Sequence, residues 1–159
     1  MRPKRSHWAW GTEDRFPDED ARRLLAQHVA MLLGTSEPTL RPLPSIEDAS
    51  VPEPRVAPPA NLLHIAQWNR EERIRHTYGR SYRDLVRGFR GDFTPAPDWV
   101  ATPETEEDIA SLLAWCSQQG VAAIPFGGGT SVVSGIEADV GPRFSGAVSI
   151  DMGLSLIHI

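Results

Sequence analysis

Seven of the chain's 14 prolines fall within residues 38–59, at Pro38, Pro42, Pro44, Pro52, Pro54, Pro58 and Pro59. Proline fixes φ and lacks an amide donor, so neither a helix nor a central strand can run through that stretch. The residues between the prolines include few large apolar groups to offset the entropy of ordering. Residues 38–61 therefore read as a Pro-rich arm that divides the 159-residue chain into parts of different character. Glycine is skewed the other way, with eight of 13 between Gly120 and Gly153, so the unusual backbone is concentrated near the C-terminal end.

Before the arm, residues 1–37 form a helical region. Ala21, Leu24, Leu25, His28, Val29, Leu32 and Leu33 recur at helical spacing from Asp18 onward, and Gly34 is placed to stop the helix. After the arm, residues 62–96 read as a second helical region that carries seven arginines between Arg70 and Arg90. Arginines in such a run belong most simply to a solvated helix face, with His76 among them. A phosphate-facing role for one of them is the sharper alternative.

Residues 97–152 alternate strand and helix. Trp99-Val100-Ala101 is a short strand, and Thr105 with Asp108 three residues on has the form of a capping box. The Ile109, Leu112, Leu113, Cys116 stripe supports a helix ending at Gly120. Val121 to Phe126 suits a buried parallel strand, and a β-α-β return closes near Val148-Ser149-Ile150-Asp151. Between these strands lies Pro125-Phe126-Gly127-Gly128-Gly129-Thr130-Ser131. Three consecutive glycines can adopt φ values closed to other residues, and converging amides with two hydroxyls beside them make a nest for phosphate or pyrophosphate. The other reading is a glycine-rich turn that merely joins two strands. A P-loop is excluded because no lysine follows Lys4, and Val132 stands where the nicotinamide fingerprint needs its third glycine.

Composition narrows the remaining classes. A formal net charge of −5 provides no global basic field for nucleic acid, and no apolar run is long enough to span a membrane. The single cysteine, Cys116, forms no internal disulfide, and no Cys/His set has zinc spacing, so no metal site is expected. A cytoplasmic location is the default. Cys116 lies on the helix stripe and reads as a buried, inert thiol. The five tryptophans, Trp8, Trp10, Trp68, Trp99 and Trp115, read as core or docking anchors.

Pro-Asp-Trp-Val-Ala-Thr-Pro-Glu-Thr-Glu-Glu-Asp-Ile, Ile-Pro-Phe-Gly-Gly-Gly-Thr-Ser-Val and Ala-Val-Ser-Ile-Asp-Met occur here in that order over residues 97–152. Together they resemble the start of the FAD-binding, PCMH-type domain of the vanillyl-alcohol oxidase and p-cresol methylhydroxylase superfamily. His76-Thr77-Tyr78-Gly79-Arg80-Ser81-Tyr82-Arg83-Asp84 and the early Trp8-Ala9-Trp10-Gly11 resemble the alkyldihydroxyacetonephosphate synthase branch. The resemblance implies an α+β fold, a helical N-terminal region followed by the opening β-α-β of the flavin domain. It implies that Pro125, Phe126, Gly127, Gly128, Gly129, Thr130 and Ser131 cradle the FAD pyrophosphate. Covalent relatives carry a flavin-bonding histidine at the position of Gly129, so FAD is expected to be non-covalent at this loop. No catalytic residue is expected within the chain, because the family's acid-base groups lie further downstream.

The expected activity is that of a fragment of an FAD-dependent enzyme exchanging acyl for alkyl on dihydroxyacetone phosphate. A 2-hydroxy-acid oxidoreductase of the same superfamily and a non-enzymatic Arg-rich interaction module remain as alternatives. The partner expected is a small-molecule substrate, without nucleic acid, and oligomerisation is left open. Residues 153–159 end in Leu-Ser-Leu-Ile-His-Ile, which resembles the peptide read from sequencing-adapter DNA, and are expected to be a foreign tail in which His158 has no catalytic role.

Overall fold

A computed structural model describes residues 4–153; the stretch read as a foreign tail falls on 154–159, outside the described residues, apart from Gly153. The chain divides into two compact units, one of residues 1–6 and 10–43, the other of residues 7–9 and 44–159. Among the described residues no helix is long and apolar enough to cross a membrane.

The smaller unit is built on helix α1, Glu19–Leu33. Asp18 caps it by accepting from the Ala21 amide at 2.9 Å, and Gly34 ends it in the left-handed conformation at φ 63°. The sequence pattern places the helix correctly but not its burial. Leu24, Leu25, Leu32 and Leu33 are all exposed, and Ala30 is its one buried residue.

The larger unit contains a four-stranded sheet in the order β1-β2-β4-β3. Its strands are β1 Ala66–Gln67, β2 Trp99–Ala101, β3 Val121–Phe126 and β4 Gly146–Asp151. Strand β4 inserts between β2 and β3 and runs parallel to both, pairing Val100 with Ser149 on one side and Ile124 with Ser149 on the other. Strand β1 adds antiparallel to β2, with Ala66 opposite Ala101. Pro125 interrupts no ladder it is needed for, because β3 is an edge strand.

Alternation along β3 and β4 divides the core between the two sheet faces. Val148 and Ile150 join Leu62, Ile65, Trp99, Leu112 and Cys116 beneath helix α4, Glu106–Gln119. Ala122, Ile124 and Ala147 face the other way, against Ala138. The α4 capping box forms as expected, with the Asp108 amide donating to Thr105 Oγ1 at 3.1 Å and the Thr105 amide donating to Asp108 Oδ2 at 3.0 Å. Gly120 closes the helix at φ 65°.

The region read as a continuous second helical stretch is broken into a 3-10 helix at Ala60–Ile65, strand β1, and two short helices, α2 Arg70–Arg75 and α3 Tyr82–Phe89. Its arginines are not all on a solvated face: Arg70, Arg83 and Arg90 are exposed, but Arg73 and Arg80 are buried. Proline-rich backbone presents carbonyls without the matching amides of a ladder, and guanidinium groups supply the missing donors. Arg73, buried, donates to the carbonyls of Pro97 at 2.8 Å and Pro52 at 2.7 Å. Arg70 donates to Ile46 at 3.0 Å and also to Ala49. The buried carboxylate of Asp98 completes the attachment. It accepts from the Arg55 amide at 2.5 Å, from the Arg55 side chain at 2.8 Å, and from the Ala147 amide of β4 at 2.6 Å. Residues 44–59 are thus stapled to the sheet rather than forming a free arm. The tryptophans divide as well: Trp99 is fully buried and packs on Trp115 with ring centroids 5.7 Å apart, whereas Trp10 and Trp68 are exposed.

Candidate functional site: a glycine loop held from behind

The loop that follows β3 leaves the sheet at the C-terminal ends of the parallel strands β3 and β4, where ligands of open α/β sheets commonly sit. Its entry is fixed by packing. Phe126 is 1% exposed and its ring lies 4.5 Å from that of His76, at a tilt of 52°. The Met152 amide donates to the Phe126 carbonyl at 2.8 Å, and Phe126 sits opposite Asp151 at the end of β4. His76 bridges the same corner. Its Nδ1 lies 2.8 Å from the Glu72 carbonyl oxygen and its Nε2 lies 3.4 Å from Asp151 Oδ2.

Beyond Phe126 the three glycines behave differently from one another. Positive φ was expected for the run, but only Gly129 has it, at 66°. Gly129 is buried, while Gly127, Gly128 and Thr130 are exposed. A Cβ at Gly127 would meet nothing within 4 Å, and one at Gly128 would make ordinary contact with the Thr130 side chain at 3.8 Å. The physical need for glycine is therefore split. Gly129 turns the chain, and Gly127 and Gly128 leave a bare backbone surface that a bulky anion can approach closely. Pro125 is exposed, Phe126 is a buried support, and Ser131 is half-buried at the far end of the loop. This set fits a pyrophosphate: an open backbone face, one enforced turn and two hydroxyl-bearing residues.

The loop is also held from behind by the Tyr78-Gly79-Arg80 segment, which packing places against its C-terminal end. The Arg80 amide donates to the Ser131 carbonyl at 2.6 Å. A side chain at Gly79 would put its Cβ 2.9 Å from the Ser131 carbonyl carbon and closer still to its oxygen. Spacing along the chain carried no sign of this contact, since Gly79 and Ser131 are far apart in sequence and neither lies on an amphipathic stripe.

The surrounding charges are internally paired. Arg87 lies 3.2 Å from Glu137 and 4.5 Å from the centroid of the Tyr78 ring, and Arg83 lies 3.4 Å from Glu137. Burial pushes the Tyr78 phenol above its ordinary range, so it stays neutral. A separate cleft of about 460 Å³ opens at the other end of β4, lined by Arg55, Arg87, Asp98, Val140, Phe144 and Ser145. Of its charged groups, Arg55 pairs with Asp98 and Arg87 with the neighbouring Glu137, while Glu53 and Asp139 also line it. Among the described residues no group of His, Cys, Asp or Glu is arranged to hold a metal ion. Cys116 is buried as expected, and burial pushes its thiol up to about 11.

Residues 97–158 match the model of a family described as an FAD binding domain. The chain is 41% identical over 80 residues to the alkyldihydroxyacetonephosphate synthase of Dictyostelium discoideum and 36% identical over 80 residues to that of Trypanosoma brucei brucei. Each alignment covers 50% of this chain and 13% of the relative. A solved alkyldihydroxyacetonephosphate synthase structure superposes with a TM-score of 0.61 at 32% identity, covering 70% of this chain and 22% of that one. The chain spans 13% to 22% of the length of these relatives. Residues 97–158 are thus similar to an FAD binding domain, which supports FAD as the cofactor, and the fold is similar to that of a solved alkyldihydroxyacetonephosphate synthase.

Proposed function

We propose that the chain is the N-terminal part of an FAD-dependent enzyme of the alkyldihydroxyacetonephosphate synthase type, and that residues 125–131 hold the FAD pyrophosphate. The observation that carries the reading is the bare, exposed backbone of Gly127 and Gly128 followed by the left-handed Gly129, at the C-terminal ends of two parallel strands. Thr130 and Ser131 add hydroxyl donors at the same place. When bound, FAD supplies an electron-accepting ring system that no protein side chain provides. The residues of this chain bind and orient the cofactor; none of them is assigned an acid-base role. Gly129 has no side chain that could bond the flavin, so attachment at this loop is non-covalent, and acid precipitation of the full-length gene product should release FAD intact.

Gly129 is the substitution that tests the site. A valine there must either adopt a left-handed conformation that β-branched residues avoid or reorganise the turn, so Gly129→Val should abolish FAD binding and activity together. Gly128 does not have the left-handed conformation, so a side chain there acts only by intruding on the anion. The reaction is tested on the full-length product with acylated dihydroxyacetone phosphate plus a fatty alcohol, and separately with 2-hydroxy acids and a dye acceptor. Ether product supports the synthase reading. Dye reduction without ether product would leave the FAD site standing and move the reaction to the oxidoreductase class.

A further inference from the structure

We propose that Gly79 and Arg80 are positioning residues for the pyrophosphate loop, acting by holding the Ser131 peptide in one orientation. The inference rests on the reading of residues 125–131 as the FAD pyrophosphate site. An anion-binding loop must do two things with its peptides: turn amides toward the anion and keep carbonyl oxygens away from it. Beyond the glycines, the Ser131 carbonyl has its direction fixed from outside the loop, as Met152 fixes that of Phe126 at the loop's start. It accepts the Arg80 amide at 2.6 Å and lies so close to Gly79 that no Cβ fits there.

The chain has no cis peptide among the described residues, so the Val132 amide points opposite to the Ser131 carbonyl, away from Gly79 and Arg80. One hydrogen bond thereby removes a carbonyl from the anion side and aims an amide toward it. The glycine is required at 79 for close approach rather than for backbone conformation, since its φ is not positive. The support is itself rigid. Ser81, next in the chain, caps α3 with a complete capping box through Asp84, and Tyr78 is buried against Phe93 with ring centroids 5.5 Å apart. Gly79 and Arg80 are therefore held on both sides while they hold the loop.

The test uses the full-length gene product and reads FAD affinity by flavin fluorescence for the parent, Gly79→Ala, Gly129→Ala and the double variant. Gly79→Ala should weaken FAD at least tenfold, and the double variant should bind no worse than the weaker single variant, because both act on one loop geometry. Unchanged affinity in Gly79→Ala beside a clear loss in Gly129→Ala would overturn this inference and leave the site assignment intact. Unchanged affinity in both would overturn the site assignment and this inference with it. Fully additive losses would show that Gly79 acts elsewhere, and would also overturn it. Should Gly79→Ala fail to fold, amide hydrogen exchange on the unaltered protein decides: FAD should slow exchange at Arg80 and Val132 by tenfold or more, and an Arg80 amide indifferent to FAD would end the proposal.

Discussion

Helices α1 and α4 carry nearly the same local instructions and meet opposite fates. Both have an oxygen-bearing cap, Asp18 in one and Thr105 in the other, acidic residues in the first turn, and a left-handed glycine at the end. Both have a leucine-rich stripe. In α4, Leu112 is 0% exposed and Cys116 is 3% exposed against the sheet, whereas in α1 Leu25 is 59% exposed and Leu32 is 70% exposed. Capping and periodicity are short-range properties that set where a helix begins, ends and turns its apolar side. What covers that side depends on elements elsewhere in the chain, and α4 has β2, β3 and β4 to provide them.

The largest test of this contrast removes one leucine from each helix. Leu112→Ala should cost about 2–5 kcal/mol, the range for a buried leucine leaving a cavity, while Leu25→Ala should change stability by less than about 0.5 kcal/mol. Denaturant titration of each variant measures both, and equal costs would mean that the exposed stripe of α1 is in fact covered. The caps should behave alike where the stripes do not. Thr105→Ala and Asp18→Ala should each cost about 1 kcal/mol of local helix stability, read by amide exchange in the first turn.

A pH titration separates the α4 cap further. His64 Nε2 lies 2.9 Å from Asp108 Oδ1, and this bond, followed by the Glu104 amide, lowers the Asp108 carboxyl from its ordinary value to about 2. A carboxyl whose folded value lies below its unfolded value stabilises the fold above the unfolded value, near about pH 4, and loses that contribution as pH falls toward the folded one. Thermal melts between these limits should slope downward with acid, and Asp108→Asn should remove that part of the slope.

The remaining effect is chemical. With its thiol pushed up to about 11, Cys116 should alkylate on the order of 100-fold more slowly than a free thiol at pH 8, until the protein unfolds. Fast alkylation in the native state would show that α4 does not stay docked.

Much of the strand-helix-strand segment was legible in order, because each element has its own local signal: the Thr105 box, the α4 stripe, the Gly120 stop and the apolar run of β3. The arginine-rich region was misread for a definite reason. Periodicity and charge describe a helix face, but Arg70 and Arg73 reach backbone carbonyls more than 20 residues away, and long-range donors leave no periodic trace. The candidate loop was found from its glycines alone, yet the division of labour within it was not, since Gly127, Gly128 and Gly129 are the same residue in three different backbone settings.

By itself the amino-acid sequence determined the limits of α1 and α4, the position of the glycine loop, the placement of Cys116 on an inward-facing stripe and the resemblance that names FAD. Those properties depend on residues within a few turns of one another, or on motifs in a set order. The tertiary structure alone decided that β4 lies between β2 and β3, that Asp98 staples the proline-rich segment to the sheet, and that Gly79 and Arg80 back the loop at Ser131. Each of these is a contact between distant segments, selected because a buried carboxylate, an unpaired carbonyl or an absent side chain has to be matched by whatever folding brings beside it.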